Sequence, residues 1–169
     1  MNLPFTHGLH DLGRGAFAWL QPDGGFGLSN AGLLADSGEC LLVDTLTNVP
    51  LTQQMLDAMR AGVPAARHIR TVLNTHAHPY HTAGNLLLPD AEIIASAEAA
   101  AEMVFIQSPA NPIKQMLANW QLFGEAGAYM HETMGGFGVH DAEQKMPTRT
   151  FQGELTLQVG TKVVQLSQV

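Results

Sequence analysis

LNTHAHPYHTAGN, residues 73–85, carries three histidines, His76, His78 and His81, within six positions and closes on Gly84-Asn85. It follows Thr71 to Leu73, a β-branched and apolar run that reads as a short strand. Side chains alternate along extended backbone, so His76 and His78 are expected to project to one side. His81 is expected to swing in from the turn that follows. Neutral imidazole is the commonest protein ligand of Zn2+, at Zn–N distances of about 2.0–2.1 Å. Gly84 lets the backbone turn away, which leaves the imidazoles at a strand end facing open space.

Upstream of this segment, Cys40 to Val43 reads as a strand ending at Asp44, after which the period changes. Leu51, Met55 and Met59 recur at helical spacing, and Asn48 just ahead of Pro50 supplies the helix start. Gly62-Val63-Pro64 then leads back to Thr71–Leu73, and strand, helix and strand in this order predict a crossover unit. Two earlier strands, Ala16 to Leu20 and Ala31 to Ala35, flank the turn-rich QPDGGFGLSN as the start of a meander.

Downstream, Glu92 to Ala95 is strand-like, and Ser96 is the expected N-cap of a helix over AEAAAEMVFIQ. Residues 108–150 read as a looser insertion over the site. One helix opens at Asn111-Pro112 and carries Ile113, Leu117 and Trp120, and the glycine-rich GEAGAYMHETMGGFGVHD follows as loop. Its Met116, Tyr129, Met130, Met134 and Phe137 either line an adaptable apolar pocket or pack the insertion against the rest. Glu154 to Val159, a Gly160-Thr161 turn and Lys162 to Leu166 read as a β-hairpin. The expected class is mixed α and β, in one domain over residues 1–169.

Composition narrows the function classes. Of 169 residues 46% are hydrophobic and 14% charged, which is the range of a folded globular chain. Fifteen acidic residues against eight basic ones give a formal charge of −7 with no basic run, so nucleic acid and anionic membranes are poor partners. The N-terminus has no signal-peptide pattern and no stretch approaches the ~18–20 apolar residues of a membrane span; a cytoplasmic protein is expected. Cys40, the single cysteine, sits in the apolar run CLLV and reads as a buried, inert thiol. His7, His10, His68, His131 and His140 stand apart from the cluster and read as exposed.

The histidine segment resembles the metallo-β-lactamase superfamily motif His-x-His-x-Asp-His, with Thr75 ahead of it and Gly84-Asn85 behind. Val43-Asp44-Thr45 is similar to the family's earlier motif, whose aspartate steadies the histidine loop; Asp44 is the matching residue. The resemblance covers residues 10–105 and implies the N-terminal half of the αββα four-layer sandwich. It also implies a zinc site, of one or two ions, with His76 and His78 on the first metal and His81 toward a second. Tyr80 stands where the family has its second-metal aspartate, and a neutral phenol is a poor ligand. The family's remaining ligands lie in the second half of its fold, so the site is expected to be incomplete.

If a partner or a continuation completes it, the resemblance implies hydrolysis of a small molecule: a metal-bound water attacks an ester, thioester, lactone or similar bond. Tyr80 is then the expected hydrogen-bond donor to the developing oxyanion. The alternatives are a truncated or decayed, non-enzymatic relative holding at most one weak metal, and a half-domain that assembles with a partner or as a homodimer. The homodimer follows from an expected bare inner face on the strands around Cys40–Val43, Thr71–Leu73 and Glu92–Ala95.

Overall fold

The structure is a computed structural model that describes residues 5–22, 27–135 and 144–168. Strands β1 (Gly8–Gly13), β2 (Ala16–Leu20), β3 (Ala31–Asp36) and β4 (Glu39–Val43) pair antiparallel, each with the next. Pairing then turns parallel, from β4 to β5 (Thr71–Leu73), β6 (Glu92–Ser96) and β7 (Arg149–Phe151), so seven strands lie in one sheet in chain order. Parallel pairing needs long crossovers, and helices fill them.

The first crossover is α1 (Val49–Gly62). It begins where the sequence places it: the Asn48 side chain accepts the Leu51 N–H at 3.0 Å, and Pro50 in the first turn has no N–H to satisfy. Met55, Leu56 and Met59, fully buried at helical spacing, join Leu33, Leu42, Val72 and Ile93 in one core cluster. Cys40 belongs to the same core, and burial pushes its thiol up to about 11, so the inert reading holds. The crossover after β6 opens with α3 (Ala97–Gln107), capped by the Ser96 hydroxyl, which accepts the Ala99 N–H at 3.1 Å. Among the described residues no helix is long and apolar enough to cross a membrane.

Four expectations need correction. Residues 74–78 are bent loop and not extended strand, because the ladder ends at Asn74, whose N–H still reaches the Ile94 carbonyl. Pro79 then opens a single helical turn, α2 (Pro79–Thr82), which carries Tyr80 and His81. The looser stretch ends in β7, a sheet strand the sequence reading missed. Lys145 ties its approach to the carbonyls of Leu88, Pro89 and Ala91 at 2.7–2.9 Å. Within that stretch α4 (Pro112–Ala118) starts at Asn111 as read but stops short of Trp120. GEAGAYMHETM, read as loop, is helix α5 (Gly124–Met134). Between its glycines stand good helix formers, and Gly127 permits close packing: a Cβ there would lie 2.0 Å from the Trp120 carbonyl oxygen. Phe137 and His140 fall outside the described residues.

The second face of the sheet is not bare either. β8 (Glu154–Val159) and β9 (Lys162–Ser167) form the expected hairpin, with Val159 and Leu166 buried. Asp36 fastens it to the sheet, accepting from the Thr161 N–H at 2.6 Å, the Thr161 hydroxyl at 2.7 Å and Lys162 at 3.2 Å. These donors hold the Asp36 carboxyl well below the usual carboxylate range. Leu41 and Ile94, which alternation places opposite the α1 core, are 1% and 0% exposed. Leu73 on the same face stays half-buried.

One contact fixes how α1 meets the histidine loop. A Cβ added to Gly84 would lie 2.0 Å from the Thr52 hydroxyl, and that hydroxyl accepts the Leu46 N–H at 3.1 Å. Overpacking of a closed core typically destabilises by about 1–3 kcal/mol. Gly84→Ala is expected to lower unfolding free energy by that amount in urea titration, with the m-value unchanged.

Candidate metal centre

Asp44 follows β4 in a left-handed conformation, φ 63°, with 4% of its surface exposed. That turn brings its carboxylate under the histidine loop. Oδ1 accepts the Thr75 N–H at 2.8 Å, while Oδ2 accepts the Thr75 hydroxyl at 2.7 Å and pairs with His81 Nδ1 at 3.0 Å. Thr75 therefore donates to a side chain where a strand residue would donate to the next strand. This is why the ladder stops at Asn74.

A buried layer of polar side chains lies beneath. Asn85 Nδ2 donates to Asn74 Oδ1 at 2.8 Å, and both residues are buried. The His81 carbonyl accepts from the Thr45 N–H at 2.9 Å and lies 3.1 Å from the Thr45 hydroxyl. The Ser29 hydroxyl donates to the Tyr80 carbonyl. Thr45, Asn74 and Ser29 were not singled out from sequence. Thr45 and Asn74 flank Asp44 and Thr75, and that adjacency was the available signal.

The protons on two imidazoles can be assigned from donors alone. A carboxylate only accepts, so the Thr75 hydroxyl spends its single proton on Asp44. Its oxygen, 2.9 Å from His76 Nδ1, must then accept from an Nδ1–H. His81 likewise donates from Nδ1 to Asp44. Neutral His76 and His81 are left with a lone pair on Nε2, the atom that no described residue engages through a hydrogen bond. Tyr80 Oη lies 2.8 Å from His78 Nδ1.

The structure brings the predicted residues together. Ring centroids are 4.3 Å apart for His76 and His81, 5.0 Å for His76 and His78, and 5.0 Å for His78 and Tyr80. Burial holds His76 below its ordinary 6.5, and the neighbouring His81 adds to the effect, so a neutral ring is favoured. The donor chemistry suits a zinc ion. The shell is nevertheless not closed: among the described residues no group of three or more His, Cys, Asp or Glu is arranged to hold a metal ion.

Of the outlying histidines, His7 and His68 are exposed as read. His10 is instead half-buried, with Nε2 2.7 Å from the Thr6 carbonyl oxygen. His131 is exposed, but it lies on α5 and stacks on Trp120 at 4.5 Å. Beside the histidines, a cavity of about 340 Å³ opens between α3, α4 and α5. Met130 and Met134 line it, whereas Met116 and Tyr129 do not.

A mixed sheet that carries, at the end of one strand, a histidine loop braced by a buried aspartate defines the class of protein. Residues 24–155 match the family model of the metallo-beta-lactamase superfamily, and the chain belongs to that superfamily. A metallo-beta-lactamase from Pontibacter korlensis superposes with a TM-score of 0.60 at 12% identity, covering 93% of this chain and 58% of that one. Another from Hirschia baltica is 22% identical, with a TM-score of 0.47, over 57% of this chain and 46% of that one. The chain thus spans about half the length of the solved relatives it matches. A search of curated proteins gives no match.

Two outcomes test the geometry. Asn tolerates the left-handed backbone at position 44 but cannot accept from three donors as a carboxylate does. Asp44→Asn is expected to lose about 1.5–3 kcal/mol in urea titration, the worth of a hydrogen bond to a charged group. The ¹⁵N shifts of His76 and His81 should move away from the Nδ1–H tautomer. In metal-free wild type, an NMR titration should place the His76 midpoint below 6.5. Because folding disfavours that proton, the stability tied to His76 is present above 6.5 and is lost as pH falls toward the lowered folded value.

Proposed function

We propose that this chain supplies the first-metal half of a zinc hydrolase site, acting on an ester, thioester or lactone once the remaining ligands are supplied. The observation that carries the reading is the Asp44–Thr75–His76 relay, which fixes the tautomer a metal ligand requires. His76 and His78 are the residues that would hold the ion. When bound, zinc would supply Lewis-acid polarisation and a water acidic enough to attack at neutral pH. His81, tied to Asp44, orients the loop and extends the imidazole face.

Tyr80 does two things in this reading. For His78 to offer its Nε2 lone pair, its proton sits on Nδ1, and Nδ1–H donates a hydrogen bond to the Tyr80 oxygen. The phenolic proton is then free to point outward, toward an oxyanion forming beside the histidines. A phenol in place of a carboxylate also withholds the negative oxygen that a second cation would need, so one metal is the expected count.

A second reading has its own support. No closed ligand set exists among the described residues, which favours a non-enzymatic relative with one weak metal.

Metal analysis separates these readings. Wild type dialysed against zinc is expected to retain up to one equivalent per chain, and His76→Ala with His78→Ala to retain almost none. Equal content in both would overturn the assignment. Tyr80→Asp is expected to tighten zinc in chelator competition by at least tenfold, with a second equivalent appearing. Zinc retention without turnover of any ester, thioester or lactone would favour the non-enzymatic relative.

A further inference from the structure

We propose that the cavity between α3, α4 and α5 is the acyl pocket of this site, and that the substrate carries a flexible aliphatic acyl group. The inference rests on the hydrolase reading above and narrows its substrate class. The observation is continuity: His78 and Tyr80 are part of the cavity lining, so a group seated in it lies against the histidine loop.

The walls select for aliphatic chemistry. Phe105 and Ile106 come from α3, Ile113 and Leu117 from α4, and Met130 and Met134 from α5. Branched and thioether side chains that can repack suit a chain of variable shape better than a rigid flat ring. Among the described residues one phenylalanine, Phe105, lines the space, together with Tyr80. At about 340 Å³ the cavity is at the small end of ligand sites, enough for a chain and too small for a large head group.

Polar groups are few and peripheral. Lys114 reaches the Gln107 carbonyl at 3.3 Å, and the Asn111 side chain bonds the Ile106 carbonyl at 3.1 Å and caps α4. Both help to hold the walls together, and Glu102 and Gln107 are the other polar side chains along the lining. Ile113 and Phe105 are 50% and 56% exposed, which leaves apolar surface at the rim for the distal carbons.

Two measurements on the full chain test this. The first is binding of octanoate and of acetate to metal-free protein by isothermal titration. These probes share a carboxylate and differ only in the chain. Octanoate is expected to bind at least tenfold more tightly, and Ile113→Asp, a change at a half-exposed position, to abolish the difference. Equal binding of the two probes, or an Ile113→Asp variant that still prefers octanoate, would overturn the proposal.

The second is kcat/KM for p-nitrophenyl esters of two to ten carbons with zinc present. Each added methylene is expected to raise kcat/KM about fourfold until the cavity is full. Met130→Trp should shorten the chain at which the rise stops. Hydrolysis at one rate for every length overturns the acyl pocket and leaves the hydrolase reading standing. Octanoate preference without hydrolysis of any ester does the reverse.

Discussion

The structure turns on a single carboxylate placed where no strand or helix residue would sit. Asp44 leaves β4 in a left-handed turn and takes three donors from the loop that starts at Thr75. A buried carboxylate without donors would be strongly unfavourable, so the loop must come to it. The loop would otherwise have unpaired N–H groups at the end of a strand. Each side satisfies the other, and the histidines are carried into place by that exchange. Sheet position and imidazole tautomer are therefore set by the same contacts.

Neutral polar groups below the carboxylate make the arrangement rigid. Asn74 and Asn85 bond each other across the base of the loop, and Thr45 holds the His81 carbonyl. Side-chain amides supply donors and acceptors at once, so the layer closes without adding charge. Gly84, pressed on Thr52, lets α1 approach the same layer. The apolar core made by Met55, Leu56 and Met59 thus ends directly beneath the polar one.

Much of this was legible in the sequence, and the failures have physical causes. Apolar and β-branched runs gave β2 and β5, an alanine-rich run gave α3, all at the bounds observed, and local caps at Asn48 and Ser96 placed two helix starts. The cluster of His76, His78 and His81 was visible by spacing, and Asp44 by motif. The reason given for the first two histidines was wrong: they meet in a bent loop, because a side chain and not a strand takes the Thr75 N–H. Helix α5 was hidden because its glycines look like loop, while the reason for Gly127 lies in Trp120, several residues earlier. Strand β7 is as short as β5 but is a mostly exposed edge strand, Arg-Thr-Phe, without the apolar run that marked β5. The seating of the hairpin against β3 and β4 depends on Asp36 meeting Thr161, a contact between residues far apart in the chain.

Tyr80 shows how one residue changes the character of such a loop. Its ring lies 5.0 Å from His78, 5.1 Å from His81 and 6.0 Å from His76, so the phenol sits at the side of the imidazole group. A carboxylate there would add a full charge, worth on the order of 4 kcal/mol with a like-sized charge at 4 Å and an effective dielectric of 20. A phenol adds none, and it brings apolar ring surface. That surface continues into the cavity walled by Phe105, Ile106, Ile113, Leu117, Met130 and Met134. The same substitution therefore removes an electrostatic reason to hold a second cation and extends the apolar wall up to the histidines. On the reading proposed above, the two effects act together. A site with one cation and a largely apolar approach suits a neutral acyl compound, because a strongly anionic substrate would not find the second metal charge it needs.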